Sequence, residues 1–157
     1  MRGAAGYPIF FAVFCLLAPG AAMAQLKTCD RSRETVAVVE DTESAARLKE
    51  VGLASGISPV VRDVLRRSGC FAQDANASLK FRVSVTSISD EPVSKAIVVS
   101  TSARLANDEW RFEGLGRGQA NPGPKTAKAD AYAAAVTSAV EDAVNNVIEA
   151  HDRATSH

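Results

Sequence analysis

The segment that most constrains the fold is the long stretch from Thr126 to Ala150, which is rich in alanine and valine. Its apolar residues recur at steps of three and four, the period of one face of an α-helix. They are Ala129, Tyr132, Ala133, Val136, Val140, Ala143, Val144, Val147 and Ile148. Because most of these side chains are small, the helix can approach its partner closely, and a flat sheet is the natural complement. The chain before this helix must therefore supply a sheet.

Residues 1–24 have the three features of a signal peptide. Arg2 gives a positive start, Ile9 to Ala18 is an apolar run, and Ala22-Met23-Ala24 is a small-x-small cleavage site. The apolar run is shorter than the about 20 residues that a spanning helix needs, and no later segment approaches that length. We therefore expect cleavage after Ala24, and no transmembrane segment in the mature chain.

Neither cysteine near the signal peptide lies in a lipid-attachment motif. Cys15 is inside the apolar run and follows bulky residues, whereas Lys27 stands where a small residue would be required before Cys29. The sequence therefore predicts a soluble protein that is periplasmic or secreted.

The charge of the chain is mixed and balanced. The whole sequence has 18 Lys+Arg and 18 Asp+Glu, and residues 1–24 contribute only Arg2 to these totals. A nucleic-acid-binding protein needs a basic stripe to displace counterions from phosphates. Arg62, Arg66 and Arg67 do cluster on one predicted helix, but a solvated helix face explains them better. We therefore expect no nucleic-acid partner.

Two cysteines, Cys29 and Cys70, remain in the predicted mature chain. An even number of cysteines in an exported protein indicates a disulfide. The alternative is a pair of unrelated buried thiols. Cys29 lies before the first predicted strand and Cys70 follows the helix after it. A helix that packs antiparallel on the strand before it would bring these two ends together.

The first half of the chain predicts a strand, a loop and a helix. Thr35 to Val39 is a short, non-alternating apolar run, which is typical of a strand buried on both faces. Ser44 to Val51 can form one or two helical turns. The stronger helix runs from Ser58 to Ser68, with Ser58 as a capping residue, Pro59 at its first position and Gly69 just after its end.

The second half predicts a three-stranded antiparallel meander before the last helix. Apolar and polar residues alternate from Leu79 to Thr86 and again from Ala96 to Leu105, and Trp110 and Phe112 continue the pattern after a turn. Phe71 to Asn76 is predicted to be a connector. The predicted fold class is α+β: a mixed sheet of one buried strand and the meander, with two main helices on one face. Residues 25–150 form the single domain, and residues 151–157 are expected to be a disordered tail.

No pattern in the sequence carries a catalytic, cofactor-binding or metal-binding signature. Gly114, Gly116 and Gly118 are expected to end the last strand. They lack the spacing of a phosphate-binding loop, and a strand that bends or makes room for a neighbouring backbone explains them better. The two histidines, His151 and His157, both fall in the predicted tail. We therefore predict that the chain is not an enzyme and has no catalytic, cofactor or metal residues.

Three pairs of acidic residues could still take part in general acid–base chemistry. They are Glu40-Asp41, Asp90-Glu91 and Asp108-Glu109. Each pair falls in a predicted loop or strand end, where solvated turn residues are the ordinary explanation. Catalysis would require these pairs to converge in space.

Four segments carry a resemblance to small domains of the bacterial envelope. They are Val36-Ala37-Val38-Val39, the run from Val64 to Phe71, the strand from Leu79 to Thr86, and Gly114-x-Gly116 before the alanine-rich helix. In these segments the chain resembles the periplasmic domain of the curli-secretion lipoprotein, the lipoprotein activator of peptidoglycan synthases and the amino-terminal domain of the Tol-Pal translocation protein. It departs from them because it has no lipid-attachment cysteine and no inserted segments from which a membrane barrel is built.

The resemblance implies an α+β domain that binds other envelope proteins and supports assembly or regulation, with no catalytic residues. The sequence therefore predicts a non-catalytic periplasmic interaction domain with a protein partner in the envelope. The alternative is a small-ligand carrier or an enzyme inhibitor that uses a cleft between sheet and helices. An apolar pocket would favour the carrier, whereas an exposed apolar patch or a bare strand edge would favour a protein partner.

Overall fold

A computed structural model describes residues 25–156, which form three helices and one mixed five-stranded sheet. The predicted signal peptide, residues 1–24, and His157 lie outside the described residues. The elements in chain order are β1 Glu34–Val39, α1 Thr42–Glu50, α2 Ser58–Ser68, β2 Phe71–Gln73, β3 Leu79–Asp90, β4 Ile97–Ala106, β5 Arg111–Ala120 and α3 Lys128–Thr155. No helix between residues 25 and 156 is both long and apolar enough to cross a membrane.

The strand order in the sheet is β2-β1-β3-β4-β5. Strand β1 pairs in parallel with β2 and β3, while β3, β4 and β5 form the antiparallel meander that the alternating pattern predicts. The α+β class and the mixed sheet are thus confirmed. The connector predicted after Phe71 is wrong in part, because Phe71–Gln73 is a short edge strand beside β1. A segment of three residues is too short for alternating apolar and polar residues to predict a strand from the sequence.

Helix α2 is capped from another part of the chain. Ser58 is predicted to be the capping residue, but it is the first helical residue, and Ile57 before it makes no side-chain cap. The carboxylate of Glu40 instead accepts hydrogen bonds from the backbone N–H groups of Ile57 and Ser58, at 3.3 and 3.2 Å. A carboxylate at this end also complements the helix dipole. Gly69 ends the helix in the left-handed conformation, as predicted.

Cys29 and Cys70 form the disulfide that the sequence predicts, with their Cα atoms 4.9 Å apart. The segment before β1 runs beside the end of α2, where the Cys29 N–H donates to the Ser68 carbonyl. The same segment is held on α3 by Asn145, whose side chain accepts from the Lys27 N–H and donates to the Gln25 carbonyl. The N-terminal segment is therefore part of the domain from its first described residue.

Helix α3 packs against β5 at close range, which explains three glycines in that strand. A Cβ atom at Gly114, Gly116 or Gly118 would overlap the backbone of α3, where the nearest residues are Ala135, Ala139 and Ala143. The predicted close docking of a small-residue helix is thus confirmed. The glycines lie inside β5, whereas the sequence predicts that they end the strand. The strand makes room for the backbone of α3, as predicted.

The predicted apolar face of α3 is wrong in its first two turns. Ala129 is exposed and Ala133 is half-buried, whereas Ala131, Ala135 and Ala139 are buried. Alanine occupies most positions of these two turns, so the spacing of apolar residues does not show which face of the helix is buried. From Val136 to Ile148 the predicted face agrees with the buried one.

The substitution Ala143→Leu is expected to lower the free energy of unfolding by about 1–3 kcal/mol, because Ala143 is fully buried and faces Gly116. The matched substitution Ala133→Leu is expected to change it by about 0.5 kcal/mol or less, because this side chain is only half-buried. Urea denaturation of the two variants measures the difference. Equal midpoints would contradict the helix orientation described above.

The expectation of a disordered tail from residue 151 is also wrong for the described part of that segment. Helix α3 continues to Thr155, and the His151 side chain is buried at 5% exposure. It lies among aromatic rings, with centroids 5.5 Å from Phe112, 6.1 Å from Trp110 and 6.2 Å from Phe71. A histidine in this position packs as an aromatic core residue, which composition alone does not reveal.

Candidate functional site

The sheet has one face covered by helices and one face without them. Alternation along the strands places Phe81, Val83 and Leu105 on the covered face, where they join the core. The uncovered side of β3, β4 and β5, which we call the open face, carries polar, charged and few apolar side chains. It consists of Lys80, Arg82, Ser84, Ser87, Ser89, Val98, Ser100, Ser102, Arg104, Ala106, Arg111, Glu113, Leu115, Arg117 and Gln119.

The strand register arranges the open face in rows that cross the sheet. In one row Arg82 lies opposite Arg104, which lies opposite Glu113. The next row contains Ser84, Ser102 and Leu115. The serine side chains are short, so the middle of the open face projects less from the sheet than the rows of longer side chains on either side. Leu115 belongs to this second row and is 72% exposed. An exposed apolar side chain therefore lies directly beside the charged row.

The charge of the open face is strongly positive. Five of its side chains are basic, and Glu113 alone is acidic. Glu113 accepts from Nε of Arg104 at 3.0 Å and lies 3.4 Å from Nε of Arg111, so two arginines share this one carboxylate. Within residues 25–156, no carboxylate oxygen lies within 4.0 Å of the Arg82 guanidinium. The balanced charge of the whole chain therefore conceals a local excess of cations.

Asp41 is the acidic group at the border of this face beside Arg82. Burial acts to raise the pKa of the Asp41 carboxyl, but hydrogen bonds from Ser44 and Ser84 and the charge of Arg82 outweigh it, and the pKa is lowered. The Asp41 side chain also caps α1 by accepting from the Ser44 N–H at 3.0 Å. This acid therefore has a structural role in the fold.

The long outer edge of the sheet is partly closed by α3. Asp142 accepts a hydrogen bond from the Arg117 N–H at 3.0 Å, and the side-chain amide of Asn146 donates to the Leu115 carbonyl at 2.6 Å. These two contacts occupy backbone groups that an added strand would need. The opposite edge strand, β2, has only three residues. The open face is thus a larger available surface than either edge.

A cleft of about 420 Å³ lies between α1, the end of β3 and the start of α3. It is lined by Arg47, Glu50, Val51, Ile88, Asp90 and Tyr132. Its charges are largely committed to internal pairs, because Arg47 binds Glu43 and Lys128 binds Asp90 at 2.5 Å. The cleft is not the apolar pocket that would favour a small-ligand carrier.

The structure does not bring the three acidic pairs together. Glu40 and Asp41 cap α2 and α1, as described above. Asp90 lies opposite Ile97 at one end of β4, whereas Asp108 follows the other end of this ten-residue strand. The rise of about 3.3 Å per residue separates these ends by roughly 30 Å. In the described part of the chain, no group of three or more His, Cys, Asp or Glu is placed to hold a metal ion.

Burial lowers the pKa of His151; Glu34 opposes this effect, and Arg33 reinforces it. Asp152 lies beside the ring, with Oδ1 3.9 Å from Nδ1. The unfolded chain therefore binds a proton more readily than the folded one between the lowered pKa and the ordinary value of about 6.5. Stability from this group is complete above about pH 6.5 and is lost as the pH falls through that window.

We expect the free energy of unfolding to decrease between pH 7 and pH 5, and the His151→Phe variant to show a flatter dependence on pH. Phenylalanine keeps the ring among its aromatic neighbours but cannot bind a proton. Urea denaturation at a series of pH values measures both slopes. The same slope in the two proteins would show that His151 does not control this dependence.

Comparison with known proteins finds similarity to solved structures. No protein-family model matches the chain, and no curated protein does. A solved structure of a Xanthomonas campestris protein of the family DUF330 superposes with a TM-score of 0.49 and 13% sequence identity, over 85% of this chain and 93% of that chain. At this level of similarity it assigns neither a family nor a function to this chain.

Proposed function

We propose that this chain is a non-catalytic accessory domain of the bacterial envelope that binds another protein through its open face. The observation that carries this proposal is the asymmetry of the sheet. Its covered face packs against helices, whereas the open face presents basic residues and the exposed Leu115 to the surroundings. Polar and charged groups around an apolar contact are the composition of a transient protein interface.

The envelope setting is supported by two features. The predicted signal peptide would direct the chain out of the cytoplasm. The disulfide between Cys29 and Cys70 is stable in an oxidising compartment such as the periplasm. The resemblance to envelope assembly and regulatory domains, stated above, adds the expectation of an accessory role. An assembly or regulatory partner would bind the domain in the periplasm or outside the cell.

Site-specific photo-crosslinking in the native cell tests this proposal. A photoreactive phenylalanine analogue replaces Ser102, in the middle of the open face, and a control version carries it at Ala134, an exposed position on α3. We expect a protein adduct from position 102 and little or none from position 134. Equal adducts from both positions, or none from position 102 despite normal accumulation of the protein, would contradict the proposal.

A small-ligand carrier or an enzyme inhibitor is the alternative that the sequence left open. The cleft between α1 and α3 is one cavity that such a carrier could use, but three of the six residues that line it are charged. A protein-binding inhibitor could use the open face as well, in which case the adduct formed at position 102 would contain an enzyme.

A further inference from the structure

We infer that the open face recognises an acidic surface of its protein partner, and that Arg82 and Arg104 form the central contact. This inference rests on the proposed function and adds the chemistry of the partner. The two arginines are directly opposite each other on neighbouring antiparallel strands. Like charges in this position repel each other and destabilise the sheet. A carboxylate that binds between them would remove that repulsion.

The described residues neutralise this pair only in part. Glu113 binds Arg104 but is shared with Arg111, and the Arg82 guanidinium has no carboxylate within 4.0 Å among residues 25–156. Lys80 is one alternation away on the same strand, and Arg117 lies on the far side of the serine row. An acidic partner would therefore contact cations on both sides of the row that contains Ser84 and Ser102.

The types of side chain favour a protein surface over other anionic partners. Four of the five cations are arginines, whose planar guanidinium groups bind carboxylates in a bidentate manner. The open face, as defined by its residues, has no aromatic side chain on which nucleic-acid bases could stack. It also has only Leu115 as an exposed large apolar group, too little to insert into a membrane surface. Leu115 fits instead as an apolar contact beside a charged row.

Charge reversal combined with the photo-crosslink at position 102 tests the inference. One version carries Arg82→Glu and Arg104→Glu, and a charge-matched control carries Lys49→Glu and Arg153→Glu, two exposed cations on α1 and α3. We expect the open-face version to lose the adduct by about tenfold or more, because juxtaposed like charges block association. The control should keep it. Thermal melting of each purified protein checks that the fold is retained.

The outcomes separate this inference from the proposed function. An adduct that persists in the open-face version, or that both versions lose equally, would leave protein binding in place but refute the acidic contact. No adduct in any version, the parent included, would refute the proposed function itself. An adduct that resists protease would show a partner that is not a protein and would overturn both. If the Arg→Glu version does not fold, the Arg82→Gln and Arg104→Gln version replaces it and is expected to lose the adduct as well.

Discussion

Replacing Gly116 with alanine is expected to lower the free energy of unfolding by about 4 kcal/mol or more. The added Cβ would overlap the carbonyl oxygen of Ala139 and lie 2.5 Å from the amide nitrogen of Ala143. Both atoms belong to the backbone of α3, so neither can rotate away as a side chain would. The Thr101 hydroxyl also donates to the Ala139 carbonyl at 2.9 Å, which ties the helix to the neighbouring strand.

The control for this prediction is Gly123→Ala. A Cβ at Gly123 meets no atom within 4 Å, and its backbone does not require glycine. This variant is expected to change the free energy of unfolding by about 0.5 kcal/mol or less. Urea denaturation followed by circular dichroism measures both variants, with soluble yield as the readout if Gly116→Ala does not fold. Similar midpoints for the two would refute the close approach of α3 to β5.

The same contact shows why much of the fold is predictable from the sequence. Glycine at three alternate positions of β5 and alanine along α3 form the two sides of one close helix–sheet contact. The alternation from Leu79 to Thr86 and from Ala96 to Leu105 likewise fixes two strands of the meander, because one side of each strand must be buried. These features depend on periodicity over many residues, which the sequence contains in full.

The features that the sequence does not reveal depend on contacts between distant residues. The cap of α2 comes from Glu40, which is 18 residues before Ser58, and the edge strand at Phe71 exists only because β1 lies beside it. His151 is a polar residue by composition, yet it is buried because three aromatic residues from other elements surround it. Local propensity contains no information about such partners.

The candidate site is predictable only in outline. The alternating polar residues of β3 and β4 predict that one side of the sheet faces solvent, and the polar residues of both strands are exposed or half-buried on that side. The opposition of Arg82 and Arg104 requires the strand register, which cannot be read from alternation alone. The register also shifts between Val85 and Ser87, so that Ser87 rather than Thr86 lies opposite Ser100. A bulge of this kind changes which side chains share a row without leaving a clear mark in the sequence.

Charge balance over the whole chain is therefore a poor guide to this surface. The sequence has equal numbers of acidic and basic residues, and that balance argues only against a nucleic-acid partner. In the fold, several acidic residues take part in structural contacts. Glu40 and Asp41 cap helices. Asp63 and Glu141 both form ion pairs with Arg67, and the pair with Glu141 joins α3 to α2. The open face keeps an excess of cations because most of these acids lie on other elements, and Asp41, at its border, caps α1.

Removing the disulfide is expected to have an effect of similar size to the glycine substitution. Cys29 and Cys70 are 41 residues apart, and the chain-entropy model gives about 4 kcal/mol for a loop of this length. The Cys29→Ala and Cys70→Ala double variant should therefore be less stable by about 2–5 kcal/mol. Backbone hydrogen bonds from Cys29 to Ser68 and from Arg33 to Cys70 remain possible, so the native topology is expected to persist at low temperature.

Comparison with the reduced protein provides the control for this last prediction. The chain that begins at Gln25 and retains both cysteines should match the double variant when it is treated with a thiol reductant, and should exceed its stability when oxidised. The double variant itself should not respond to the reductant. Urea midpoints under both conditions measure these four states. If reduction leaves the midpoint of the parent protein unchanged, the loop closure does not contribute to stability, and the hydrogen bonds between the N-terminal segment and α2 are sufficient.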